Sequence, residues 1–130
     1  MSGDHITIKK VDSYGEETAT VVVDSGQLSI EVFCRLGDYR QGDLTANLLH
    51  VLDADIKAAF LSDWPQPTFK EQEFIKQTGP YSYVGRATAI DPENQIIEVK
   101  GFRIEVGELP AGVGQLVDFT ITRLDLWSHD

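Results

Sequence analysis

The residues of this chain best suited to metal binding or nucleophilic chemistry are His5, Cys34, His50 and His129. Their spacing does not assemble a site. None falls into an H-x-x-x-H or C-x-x-C pattern, which would bring two ligands onto one face or one turn. His5 and His129 stand beside Asp4 and Asp130 near the two ends of the sequence, where solvated side chains are expected. Nucleophilic catalysis needs a nucleophile, a base and an orienting group within reach of one another. Cys34 with His50 is the one pairing to weigh. Cys34 keeps the parity of Ile30, Val32 and Leu36, however, so it reads as a buried apolar thiol. His50 reads as a strand residue at an edge or in a polar contact.

Carboxylates are plentiful, but composition alone supplies them: 21 acidic residues stand against 11 basic ones. Asp24 and Asp91 open turns, where an Asp side chain accepts from its own following backbone. Asp53 and Asp125 close strands, and Asp53 could cap a helix after it. The glycine-rich stretch GELPAGVG lacks a following Lys-Ser/Thr and a helix start, so it reads as a hairpin loop rather than a phosphate cradle. No cofactor and no metal are expected, and nothing positive points to an enzyme.

Tyr, Trp and Arg dominate binding hot spots, and they define the candidate contact residues. GDYRQGD presents Tyr39 and Arg40 on a loop, and GPYSYVGR places Tyr81, Tyr83 and Arg86 at a strand start. Trp64 sits beside Pro65 and Pro67, and Phe102 opens the segment Lys100–Val113. Trp127, after Leu124 and Leu126, reads as a core plug.

These residues must be held by strands. Runs rich in Val, Ile, Thr and aromatics, bounded by Gly, Asp, Asn and Pro, are the signature of strands. They fall at Ile6–Val11, Thr18–Val23, Leu28–Leu36 and Leu44–Asp53, and again at Glu73–Gln77, Tyr83–Ile90, Gln95–Val106 and Leu116–Leu126. DSGQ and DPENQ are turn sequences: Pro92 presets one φ, while Gly26 and Asn94 tolerate positive φ. Apolar parity flips between Val99 and Phe102, so Lys100-Gly101 is expected to be a bulge or a tight turn. A similar slip separates Val117, Phe119 and Ile121 from Leu124 and Leu126.

The two sets of strands resemble each other. Laying residues 5–32 on 72–99 matches Ile8/Ile75, Lys9/Lys76, Tyr14/Tyr81, Asp24/Asp91, Ile30/Ile97, Glu31/Glu98 and Val32/Val99. After an insertion, 42–53 meets 114–125 at Gly42/Gly114, Leu44/Leu116, Leu52/Leu124 and Asp53/Asp125. The pattern suggests an internal repeat, 5–53 and 72–125, with a connector at 54–71. Ile56, Ala59, Phe60 and Trp64 share one helical face, and Thr68 with Glu71 forms a capping box. One or two short helices are therefore expected in the connector, with Phe69–Gln77 balanced between helix and strand.

Length and charge bound the rest. A chain of 130 residues fits one domain and buries enough surface to fold without a disulfide. The expected fold is all-β, about eight strands in two related halves forming a small barrel or barrel-like sandwich. A lone cysteine and the lack of an 18-residue apolar run suit a cytoplasmic protein that does not enter a membrane. The net charge of −10 is spread evenly over the sequence. It repels phosphate backbones and attracts basic partners. The expectation is a non-catalytic protein-binding module, an adaptor or inhibitor of a basic protein. The alternative is an OB-like barrel binding an oligosaccharide or single-stranded nucleic acid through exposed rings.

Overall fold

A computed structural model describes residues 5–13, 18–35, 39–58, 73–109 and 112–126. Among these residues there is no α-helix. The first meander is β1 (His5–Ser13), β2 (Thr18–Asp24) and β3 (Ser29–Arg35), followed by the short strands β4 (Leu44–Ala46), β5 (Leu49–Val51) and β6 (Ala54–Ala58). The second runs β7 (Phe74–Gln77), β8 (Tyr83–Asp91), β9 (Ile96–Val99) and β10 (Phe102–Glu105), then β11 (Leu116–Ile121) and β12 (Leu124–Leu126). All pair into one open sheet ordered β4-β1-β2-β3-β12-β5-β10-β9-β8-β11-β6. β7 and β9 lie end to end along one edge of β8, and β11 follows the other.

Period-two alternation determines which face is buried. Val21 and Val23, Ile30 and Val32, Ile97 and Val99, and Phe102 and Ile104 all turn into a single core. The parity flips are explained by turns. Lys100 and Gly101 both take positive φ (48° and 86°) between paired Val99 and Phe102, the two-residue hairpin geometry that matches strand twist. Thr122 and Arg123 separate β11 from β12, which pair with different neighbours rather than with each other, so Val117 and Leu124 reach the core from different strands. Three of the eight expected strands are thus each two strands.

Both Asp turns form as their chemistry requires. The Asp24 carboxylate accepts from the Gly26 N–H at 2.6 Å and from the Ser29 hydroxyl at 2.5 Å. Those two bonds, the hydroxyl first, hold its pKa below the usual carboxylate value. Asp91 caps a 3-10 turn at Pro92–Asn94, and the positive φ falls on Gln95 rather than on Asn94. Both hairpins close at equivalent positions, Asp24 opposite Ser29 and Asp91 opposite Ile96. The flanking strands then differ: β4 joins β1, whereas β11 joins β8.

The connector departs from expectation. Ala54–Ala58, read as the start of a helix, is strand β6 on β11, with Ile56 opposite Phe119. Pairing with β11 engages these five residues, so Ile56 alternates as a strand residue rather than starting a helix. Phe74–Gln77 resolves to strand, paired with Tyr83–Arg86. The rest of the connector lies outside the described residues.

The backbone ladder is open, but side chains span the gap from β3 to β8. In an antiparallel pair every second residue turns both backbone groups away from its partner. Glu31 on β3 is such a residue, and β12 reaches only Phe33 and Cys34. The Tyr83 hydroxyl donates to the Glu31 carbonyl at 2.7 Å and accepts from its N–H at 3.0 Å. One phenol thus stands in for a neighbouring strand. Gln77 donates to the Glu31 carboxylate at 3.0 Å across the same gap.

Tyr83→Phe is expected to cost about 1–3 kcal/mol, because two inward backbone groups lose their partner. Burial raises the Tyr83 pKa to about 12, with the Glu31 charge adding and the Glu31 backbone hydrogen bond opposing. The fold therefore favours the neutral phenol. That contribution is complete below about pH 10, where an unfolded tyrosine titrates, and is lost as pH approaches about 12. Urea midpoints across this window should fall for the native chain more steeply than for Tyr83→Phe. Parallel curves would refute the assignment.

Candidate functional site

Register places a polar row across the sheet. His50 on β5 lies opposite Glu105 of β10 on one side and opposite Asp125 of β12 on the other. Asp125 in turn lies opposite Phe33 of β3, and Phe33 opposite Thr20 of β2. Laterally paired residues share a face, and this face is opposite the one carrying Leu49, Leu126 and Cys34.

The row is tied together by side chains. His50 Nε2 is 3.1 Å from Glu105 Oε1, with the imidazole 7% exposed and the carboxylate side chain 42% exposed. Arg123 donates from Nε and a terminal nitrogen to the two oxygens of Asp125, at 2.8 and 3.0 Å. The same guanidinium lies 4.4 Å from the centroid of the Phe33 ring. Tyr81 meets Phe33 edge-on at 5.4 Å and shares a 2.5 Å hydrogen bond with Thr20. A cation over a ring face and an edge-to-face ring pair are both favourable quadrupole arrangements.

A cleft of about 300 Å³ opens at the Glu105 end of this row. His50, Val51, Leu52, Asp53 and Ala54 form one wall, and Glu105, Val106 and Gly107 form the other. Leu52 is 63% exposed beside it. The Asp53 carbonyl is fixed by the N–H and hydroxyl of Thr122, both at 3.0 Å. A carboxylate beside a buried imidazole is half of a general-base arrangement. Cys34 does not complete it: the thiol has core parity and is buried in the apolar cluster, so the Cys34–His50 pairing does not form. Among the described residues no three His, Cys, Asp or Glu side chains are grouped to hold a metal ion.

No family model, curated protein or solved structure matches this chain. Function has to be derived from the site.

The residues expected from sequence to make contacts are dispersed. Tyr39 is half-buried, its hydroxyl 3.4 Å from Thr45. Arg40 is exposed in a turn where its N–H donates to Asp43. Thr45 and Thr20, the partners of Tyr39 and Tyr81, lie opposite Ile6 and Asp12, towards the two ends of β1. Tyr83 and Phe102 are core residues, because their parity points inward. Arg86 is 3% exposed and locked to Asp118 on the adjacent strand, so it presents no charge to a ligand. Trp64, like Trp127, lies outside the described residues. Of the set, Tyr81 alone joins the polar row. No sequence pattern points to Glu105, Arg123 or Phe33, whose association depends on the parallel pairings of β10 with β5 and β12 with β3.

Among the described residues no helix is long and apolar enough to cross a membrane.

Proposed function

We propose that this chain is a non-catalytic binding module that captures a basic protein through its acidic surface. The observation that carries the reading is the net charge of −10, combined with the way the arginines are held. Arg86, Arg103 and Arg123 each bind a carboxylate of this same chain. Their charges are offset locally, and the acidic excess is left to face outward. A field of that kind speeds encounter with a cationic partner and penalises acidic ones. The lone, buried Cys34 suits a reducing compartment, which is the cytoplasm in this reading.

Binding of sugars or single strands by stacking asks for exposed rings. Tyr83 and Phe102 are buried, and Tyr39 and Tyr81 are half-buried, so no described feature favours that alternative.

The test is affinity capture from native lysate, followed by measurement of the captured protein's affinity against salt. A basic protein whose affinity falls steeply as salt rises is expected. A partner of neutral or acidic character, or one indifferent to salt, would remove the reading.

A further inference from the structure

We infer that the cleft between the β5–β6 turn and the end of β10 is a receptor for one arginine side chain of the basic partner. This inference rests on the acidic-module reading and names the contact through which it acts. Three features of the cleft point the same way. Its volume, about 300 Å³, is at the small end of ligand sites and suits a single long side chain rather than a larger molecule. Its walls pair an apolar surface (Val51, Leu52, Ala54 and Val106) with two carboxylate residues, Asp53 and Glu105. A methylene stem ending in a cation has that same division.

The third feature is His50. A pair of acidic residues alone would attract any cation loosely. Here one carboxylate is fixed by an imidazole that is itself more than nine-tenths buried, with Nε2 3.1 Å from Glu105 Oε1. His50 holds one oxygen of Glu105 at the cleft wall, and the side chain is still exposed enough to accept from outside. A guanidinium presents a planar fork of donors to a carboxylate positioned in this way, which an ammonium cannot match. Among the described residues no Lys or Arg lines the cleft.

The arrangement also makes capture sensitive to pH. His50 lies opposite Glu105 of β10 and Asp125 of β12; Arg103 shares the face two residues before Glu105, and Arg123, just before β12, pairs with Asp125. Arg103 bonds Glu98 at 3.3 Å and Arg123 bonds Asp125 at 2.8 Å, which leaves Glu105 as the acceptor that His50 and an incoming guanidinium share. Protonating His50 adds a positive charge and strengthens its hold on Glu105. A bound guanidinium and a proton on His50 therefore oppose each other, and the coupling is reciprocal.

The probe is agmatine, a guanidinium on a four-carbon chain, titrated into the full chain while the His50 ring and Leu52 methyl resonances are followed by NMR. Both should move, and His50 should titrate at lower pH when agmatine is bound. Glu105→Gln should weaken binding about ten-fold or more, since it removes a charge-assisted bond. Binding to the native chain should weaken several-fold from about pH 7.5 to 5.5, the range in which imidazoles protonate. His50→Gln should flatten that dependence, and its spectrum assigns the His50 signal and reports folding. Absence of shifts at high agmatine, or equal affinity in a folded Glu105→Gln variant, would overturn the cleft assignment. If salt-dependent capture of a basic protein persists in that case, the acidic-module reading stands without the cleft. If agmatine binds as expected but no such protein is captured, the partner reading falls and a site for guanidinium compounds remains.

Discussion

Gly85→Ala is expected to destabilise the fold by about 3 kcal/mol or more, the upper end of what overpacking costs. Gly85 lies mid-sheet on β8, opposite Ile75 of β7 and Phe119 of β11. A methyl group there would stand 2.1 Å from the Phe74 carbonyl oxygen and 2.6 Å from the tip of the Phe119 ring. The ring can rotate away, but the carbonyl cannot. Moving it means lifting β7 from β8, and with β7 go the Gln77 bridge to Glu31 and the Glu73 bonds to Thr88 and to the Lys100 N–H. The double variant Gly85→Ala/Phe119→Leu separates the two clashes. It should recover only part of the loss, and hydrogen exchange should show β7 amides unprotected first. Full recovery would assign the cost to the ring alone.

The second large effect concerns Arg86 and Asp118, directly opposed on β8 and β11 and almost wholly shielded from water. The guanidinium donates to both carboxylate oxygens, at 2.5 and 3.0 Å. That bonding raises the Arg86 pKa further, against the effect of burial. Asp118→Asn keeps the shape but leaves a shielded cation without its counter-charge, at an expected cost of about 3 kcal/mol. Replacing both partners, Arg86→Met with Asp118→Leu, should return stability to near the native level, because the desolvation penalty disappears along with the attraction. A urea-unfolding double-mutant cycle measures both. If Asp118→Asn alone changes stability by less than about 0.5 kcal/mol, the pair behaves as an exposed one.

These features differ in how far the sequence revealed them. The all-β class was legible because Val21/Val23, Ile30/Val32 and Ile97/Val99 repeat at period two with Asp-led turns between them. So was the break at Lys100-Gly101, since one glycine and a parity flip have few joint explanations. At Ala54–Ala58 the helix start expected from Ile56 gives way to an edge strand, because so short a stretch fits either pattern and pairing with β11 decides between them; Ala59, Phe60 and Trp64 lie outside the described residues. Residue type suggests contact roles for Tyr83 and Phe102, but their parity with Ala87 and Ile104 turns them inward. The His50–Glu105–Asp125 row was not legible at all. It exists only through two long-range pairings, β5 parallel to β10 and antiparallel to β12, between residues more than fifty positions apart, and no local pattern encodes such pairings.

Those pairings also bear on how the chain reaches this structure. Among the described residues β5 and β12, three residues each, are the only links in the ladder between the β1–β3 meander and the β8–β10 meander. Each meander closes by neighbouring hairpins and can form early. The join requires Leu124–Leu126 to slot between β3 and β5, after nearly all the intervening sequence has been arranged. Contacts of such long range make folding slow, in the millisecond-to-second range typical of β-sandwiches. On a ribosome, β10 could pair with β5 as soon as it emerged, but β3 could not acquire its neighbour β12 until residue 126 had emerged. During that interval the β3 edge would have only the side chains of Tyr83 and Gln77 to meet Glu31, a stretch of unpaired strand open to other chains.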